Sequence, residues 1–335
     1  MKRREFMGTI WVAGAFAGVG TGVSAHPGMK PSPQQTSGSG GVFIERAVAG
    51  KPHAGKVLAA VQPHADDIPL FAGGTVAKLI NEGYTGYLIR ATNDEKAGPG
   101  TTGETVLSNE RDNESVAKAL GLAKIFNLNY RNHRMDDLSR QEMRARLIFL
   151  IRLLKVDTII SYDPWGHYEE NPDHYVTAQV LESACWMAGM NKDYPEHLEA
   201  GLKPHAVREK YYFARGPQLI NRVVDISTTI DQKVDANVAN KTQGPGGENG
   251  ARLKARLSAQ NLKLSILGDN DDIANRQYIK HFVLDLDSQR LRGVRSDREL
   301  GREHGVDYAE AFHYVAPYPV DFNMEEYVRK NATPL

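Results

Sequence analysis

From Val57 to Ala214 the chain alternates short apolar runs with segments of helical periodicity, and this alternation restricts the fold more than any other feature. Val57–Val61, Tyr87–Ile89, Ile125–Leu128, Thr158–Tyr162 and Lys210–Ala214 have strand length and strand-forming residues. Between them, Leu70–Asn81 (apolar at Leu70, Val76, Leu79 and Ile80), Glu110–Leu120 stopped by Gly121, Gln141–Lys155 and Val176–Ala188 carry helical spacing. Strands joined through helices by short connections return as parallel neighbours and are buried on both faces. The expected fold is therefore α/β: a Rossmann-like, mostly parallel sheet with helices on both faces, forming a single catalytic domain over residues 53–320. No G-x-G-x-x-G follows the first strand, so dinucleotide binding is not expected. Beyond Asp231 the pattern weakens to a Gly-rich loop over residues 243–250, an amphipathic helix over Arg252–Leu267 and a doubly charged surface block over Arg290–Arg302.

The flanks carry different signals. Lys2-Arg3-Arg4-Glu5-Phe6 followed by an apolar stretch to Val23 and the small residues Ser24-Ala25 predicts a signal peptide of the twin-arginine type over residues 1–25, with export to the periplasm or the extracellular space. The stretch is short and Gly-rich for a permanent span, so no stable membrane insertion is expected after cleavage. Residues 26–52, densest in Pro, Gly and Ser up to Gly41, read as a flexible linker, and residues 321–335 as a tail. Lys+Arg and Asp+Glu are both 41, which gives no long-range field for nucleic acid, and no nucleic-acid partner is expected. The single cysteine, Cys185, lies in an apolar run and reads as a buried structural thiol.

In an open parallel sheet, ligands bind beyond the carboxyl ends of the strands. Three polar clusters fall there: His64-Ala65-Asp66-Asp67, Thr92-Asn93-Asp94-Glu95 and the segment Asp163–His174. His64 and Asp67 sit three apart at a strand-to-helix junction, and His174 follows another strand end. Together they supply the three protein ligands of a catalytic metal site that keeps one position open. Asp66, between the first two ligands, can take a proton from a water there. Taken alone, either cluster also reads as helix capping, by Asp66 or Asp67 in one case and Asp173 in the other.

Gln62-Pro63-His64-Ala65-Asp66-Asp67 with Ala72-Gly73-Gly74-Thr75, Arg111-Asp112-Asn113-Glu114, Asn171-Pro172-Asp173-His174, Lys233–Gln243 and Tyr308-Ala309-Glu310-Ala311-Phe312 occur in the order of the motifs of PIG-L/LmbE-like N-acyl deacetylases, which the chain resembles from about Val57 to His313. The resemblance implies zinc, with iron as the alternative ion, held by His64, Asp67 and His174, Asp66 as general base, and Arg111 holding the substrate or ordering the metal site. It implies hydrolysis of an N-acyl group, most often acetate, from an amino sugar; the partner is then a small-molecule or oligosaccharide substrate. The sequence departs from the family pattern at Ala65, Ile68, Asn171 and Asn240, the last two standing where relatives carry histidine. Asn171 can donate a neutral hydrogen bond but no proton. Among the preceding residues, Tyr168 is a candidate oxyanion donor and Glu170 a candidate acid. Two other readings fit some of these residues: a non-catalytic exported metal- or sugar-binding protein of the same fold, and a His-x-Asp…His iron site, which belongs to barrels rather than to an alternating α/β chain.

Overall fold

Val57–Gln62 is the strand on which the molecule is organised: Leu58 and Ala60 face one apolar cluster, Ala59 and Val61 the other, and all four are fully buried. A strand sealed on both faces needs helices on both sides, which is what the alternation requires. The computed structural model describes residues 41–286, 295–317 and 323–334. The expected signal peptide and most of the expected linker lie outside the described residues.

The strands are β1 (Phe43–Glu45), β2 (Val57–Gln62), β3 (Thr85–Thr92), β4 (Lys124–Tyr130), β5 (Thr158–Tyr162), β6 (Glu209–Phe213), β7 (Arg222–Asp225) and β8 (Ala309–Val315). They form one eight-stranded sheet in the order β1-β7-β8-β6-β5-β2-β3-β4. From β6 to β4 every pairing is parallel; β8 runs antiparallel to both β6 and β7, and β1 is parallel to β7. Helices α1 (Asp67–Phe71), α2 (Gly73–Asn81), α3 (Thr102–Ala119), α4 (Arg140–Leu154), α5 (Pro172–Ala188), α6 (Pro195–Glu199), α7 (Ile230–Ala239), α8 (Asn249–Ser258), α9 (Asp271–Gln277), α10 (Asp297–Glu303) and α11 (Met324–Asn331) complete the regular structure with short 3-10 turns and a π-helical stretch over Tyr278–Asp285. Helices α2, α3 and α7 pack on one face, α4 and α5 on the other. In α4 the stripe Met143, Leu147, Leu150 and Ile151 faces the core, each side chain contributing roughly 1.5–3 kcal/mol of burial. None of the helices among the described residues is long and apolar enough to cross a membrane.

The strand order contains a reversal. From β2 the chain builds outward through β3 and β4, then returns to lay β5 against the other side of β2. The connections after β2 and β5 therefore leave in opposite directions and open a crevice between them. His64, in the turn after β2, and His174, in the first turn of α5, flank that crevice.

The structure differs from the expected elements in several places. The helix expected over Leu70–Asn81 is two helices, broken at Ala72, whose φ of −143° lies outside the helical region. Glu310 accepts hydrogen bonds from Gly74 N (3.0 Å) and Thr75 N (2.8 Å), so its carboxylate caps the new start. Lys233, fully buried, in turn bridges Glu310 and Asp297 at 2.6 Å each. The helix around Arg111 begins eight residues earlier than expected, at Thr102, with a capping box between Thr101 and Glu104. Within the expected linker, Phe43–Glu45 forms β1 and pairs with β7, so the folded body extends upstream of residue 53. Within the expected tail, α11 is a helix with no buried residue.

Candidate metal centre

His64 follows β2 by two residues, and α1 starts at Asp67, so both side chains are presented at the carboxyl end of the central strand. His174 sits in the first turn of α5, whose N-cap is Asn171: its Oδ1 accepts from Asp173 N at 3.0 Å, with Pro172 at the first helical position. His64, Asp67 and His174 are 6, 3 and 2% exposed. Their inner atoms converge. His64 Nδ1 lies 3.0 Å from His174 Nε2 and 3.5 Å from Asp67 Oδ2, while His174 Nε2 lies 3.5 Å from Asp67 Oδ1.

This triangle fits a divalent cation. Tetrahedral coordination with bonds of about 2.0–2.1 Å has edges of about 3.3–3.4 Å, close to the three separations, and two imidazole nitrogens with a carboxylate are a donor set that zinc and iron both accept. The remaining atoms of the three side chains are also engaged. His64 Nε2 lies 2.9 Å from Asp173 Oδ2, and the same carboxylate accepts from Asn132 Nδ2 (3.1 Å) and His133 N (2.7 Å). Asp67 Oδ1 accepts from the Tyr162 hydroxyl at 2.7 Å, and the Tyr162 ring stacks on His174 with centroids 4.3 Å apart. Asp67 also accepts from His64 N at 2.8 Å, which ties these two residues of the turn together. A second grouping of His64, His133 and Asp173 uses the outer nitrogen of His64 and reads as the support of the first.

The open side of the triangle faces a cavity of about 840 Å³, lined among others by Asp66, Lys96, His133, Asn171, Arg215 and Gln243. Asp66 is half-buried there and makes no capping bond to α1, so it is not the helix cap that its position also allowed. Burial and the neighbouring Asp67 carboxylate push its carboxyl well up from the usual range. Gly244, at φ +77°, lies against Asp66 so closely that a Cβ there would stand 2.9 Å from both Asp66 Cβ and Oδ2. The loop that carries Gly244 is held by Asp112, which accepts from Lys241 N (2.7 Å) and Thr242 N (2.6 Å). Asp94, buried in a left-handed conformation at φ +55°, accepts from Ala65 N at 3.2 Å and braces the ligand turn from the other side.

The sequence-predicted residues divide into two groups. His64, Asp66, Asp67, Asn171 and His174 are together on the cavity, with Asn171 Nδ2 3.4 Å from His174 Nε2. Tyr168 lines the cavity mouth but is 84% exposed, so its phenol competes with water there and is not a buried oxyanion donor. Glu170 is exposed, 3.8 Å from Arg215, and does not line the cavity. Arg111 lies on the exposed face of α3 and is absent from the lining; the inward positions of that helix are Asn109, Asp112 and Asn113. Asn240 is buried behind the loop and is also absent from the lining, whereas Gln243 three residues later reaches it. Cys185 is buried and its thiol pushed up to about 12 by burial, as a structural thiol should be.

Residues 59–185 match the family described as PIG-L: GlcNAc-PI de-N-acetylase. Over these residues the chain is similar to that family. In sequence, the chain is 28% identical over 197 residues to the diacetylchitobiose deacetylase of Thermococcus kodakarensis, spanning 57% of this chain and 71% of that protein. In structure it is similar to N,N'-diacetylchitobiose deacetylase from Pyrococcus horikoshii in complex with its inhibitor MPG, with a TM-score of 0.60 and 22% identity over 78% of this chain and 84% of that one. It is also similar to the conserved protein TT1542 from Thermus thermophilus (TM-score 0.53, 24% identity, 80% and 97% covered). GalB, the 4-carboxy-2-hydroxymuconate hydratase from Pseudomonas putida, shares the fold as well (TM-score 0.52, 16% identity, 80% and 99% covered). A hydratase and a deacetylase on one fold mean that the fold does not select the chemistry, and the site must.

Proposed function

We propose that this protein is a divalent-metal-dependent deacetylase that removes an N-acetyl group from an amino sugar or a glycoconjugate. The observation that carries the reading is the convergence of His64 Nδ1, Asp67 and His174 Nε2 within 3.0–3.5 Å of one another at the floor of the cavity, with the Asp66 carboxylate beside them. The relationship to the Thermococcus kodakarensis enzyme supports the acetylated-sugar substrate. The cavity of about 840 Å³ is large enough for a sugar unit together with its acyl group.

His64, Asp67 and His174 would hold the ion, zinc being the preferred assignment. When bound, a divalent ion supplies Lewis-acid polarisation of the acyl carbonyl and lowers the pKa of a water beside it. Asp66 then accepts the proton of the attacking water as the C–O bond forms, and its proton affinity, raised by burial, suits that task. The same carboxyl returns the proton to the amine nitrogen as the C–N bond breaks, which leaves acetate and a free amine. Asn171 Nδ2, positioned by its own capping bond, donates to the oxygen that gains charge and supplies no proton. Asp173 and Tyr162 fix the ligands and take no part in proton transfer.

The test is a screen of the metal-loaded protein against N-acetylated sugars and chitooligosaccharides for free amine, with Asp66→Asn beside the wild type. Turnover should fall on the order of 10²-fold or more in Asp66→Asn while bound metal is unchanged. Turnover within a few-fold of wild type would remove Asp66 from the mechanism.

A further inference from the structure

The loop between β5 and α5 turns one acidic residue inward that the proposed chemistry does not use. Glu169 Oε1 stands 3.2 Å from His174 Nδ1, the nitrogen facing away from Asp67, and that nitrogen is buried with no aligned hydrogen bond of its own. The Glu169 carboxylate is itself gripped. Arg215, two residues beyond β6, binds its Oε2 through Nε at 3.0 Å and its Oε1 through Nη2, and Asn171 N donates to Oε1 at 3.0 Å. The backbone is bent to achieve this. Tyr168 adopts φ +59°, a left-handed conformation rare for a bulky residue, and the bend sends Tyr168 out to solvent and Glu169 in. On the opposite side of the site, His64 presents its outer nitrogen to Asp173 at 2.9 Å. Both histidines thus carry a carboxylate on the nitrogen that faces away from Asp67.

We propose that Glu169, clamped by Arg215, is a positioning residue that holds His174 as the Nδ1–H tautomer and aims its Nε2 lone pair at the metal position, completing a second carboxylate–histidine arm. This rests on reading the site as a metal centre. A carboxylate behind a ligating imidazole fixes the ring and raises its basicity, and loss of such a partner typically weakens metal binding 10- to 100-fold. Arg215 then acts through Glu169: it holds the carboxylate in place and keeps it ionised without touching the ion. Asn171 N adds a second constraint, so the same short segment sets the N-cap of α5 and the orientation of a ligand.

The experiment measures Co²⁺ affinity by competition with a chromophoric chelator, together with the visible absorption of the Co²⁺-loaded full chain, for wild type, His64→Ala, Glu169→Gln, Arg215→Gln and Tyr168→Ala. Glu169→Gln should bind Co²⁺ 10- to 100-fold more weakly with displaced absorption bands, and Glu169→Asp, which keeps the charge, should recover part of the loss. Arg215→Gln should lose affinity in the same direction by a smaller factor, and should add nothing when combined with Glu169→Gln. Tyr168→Ala should bind as wild type. Wild-type affinity and spectrum in both Glu169→Gln and Arg215→Gln, while His64→Ala loses the ion, would overturn the positioning role and leave the metal centre standing. Wild-type affinity in His64→Ala would instead overturn the metal centre. Should Glu169→Gln fail to fold, Arg215→Gln alone decides the matter in the same way.

Discussion

Gly244 offers a test of how closely Asp66, the proposed base, is held. An alanine there would place its Cβ 2.9 Å from Asp66 Cβ and Oδ2 and 3.4 Å from Cγ. Carbon–carbon contacts settle at about 3.5–4.0 Å, so the carboxylate and the loop must separate by roughly 0.6–1 Å. The loop cannot retreat freely, because Asp112 holds Lys241 N and Thr242 N from behind. Much of the displacement therefore falls on Asp66. A misplacement of about 1 Å in a reacting group costs on the order of 10²-fold in rate, so Gly244→Ala should lower kcat by about 10- to 100-fold with metal content unchanged. Its φ of +77° adds a backbone penalty of about 1–2 kcal/mol to stability. Gly305 is the matched control, with φ +70° and nothing within 4 Å of a new Cβ. Gly305→Ala should show a comparable loss in denaturant unfolding and no loss of kcat. Equal kcat in Gly244→Ala and wild type, measured as free amine released under saturating substrate, would refute the idea that this loop positions Asp66.

Three further outcomes follow from the geometry. Asn171→Ser keeps an N-cap for α5 but removes the amide that approaches His174, so turnover should drop about 10- to 10²-fold while the Tm moves little; unchanged kcat would show that Asn171 is a cap only. Arg111→Ala, on the exposed face of α3, should leave metal content and kcat/KM within a few-fold of wild type, and a loss of tenfold or more would return Arg111 to the site. Burial raises the Glu45 carboxyl, but Lys78 (2.8 Å) and Arg222 (2.7 Å) outweigh burial and hold it below its usual range; Glu82 is likewise held down, by His53 and Lys78. Groups whose folded pKa lies below the unfolded value stabilise fully above the latter and lose that stability as pH falls through the former. The Tm should therefore be level from pH 7 to about 5 with respect to these groups and decline below about 4.5. Glu45→Gln should be less stable at neutral pH and show a shallower acid decline, and an unaltered acid profile would contradict the assignment.

The parallel core and the clustering of His64, Asp67 and His174 were legible because both follow from local pattern. Thr158–Tyr162 reads as a strand in sequence and is one residue for residue. The rule that ligands gather at strand carboxyl ends brings His64, Asp67 and His174 together without knowledge of the strand order. Strands β7 and β8 were not legible, because their partners lie far away in the chain: Val224 pairs with Glu310, and that pairing, not local propensity, makes them strands. The outward position of Arg111 is itself encoded in the sequence. The buried stripe of α3 runs through Thr105, Asn109, Asp112, Asn113 and Val116, a helical period that leaves Arg111 outside. The start of the same helix was encoded by Thr101 and Glu104, spaced as a capping box requires. Glu169 had no comparable signal. Its inward direction depends on a left-handed Tyr168, and nothing in a Tyr-Glu-Glu sequence announces a positive φ.

The most direct measurement is acetate release from N-acetylated amino sugars by the purified protein, assayed after chelation and again after addition of Zn²⁺. Chelated protein should release essentially no acetate, and one equivalent of Zn²⁺ per chain should restore turnover. Undiminished acetate release by protein shown to hold no metal would contradict a metal-dependent deacetylase built on His64, Asp67 and His174.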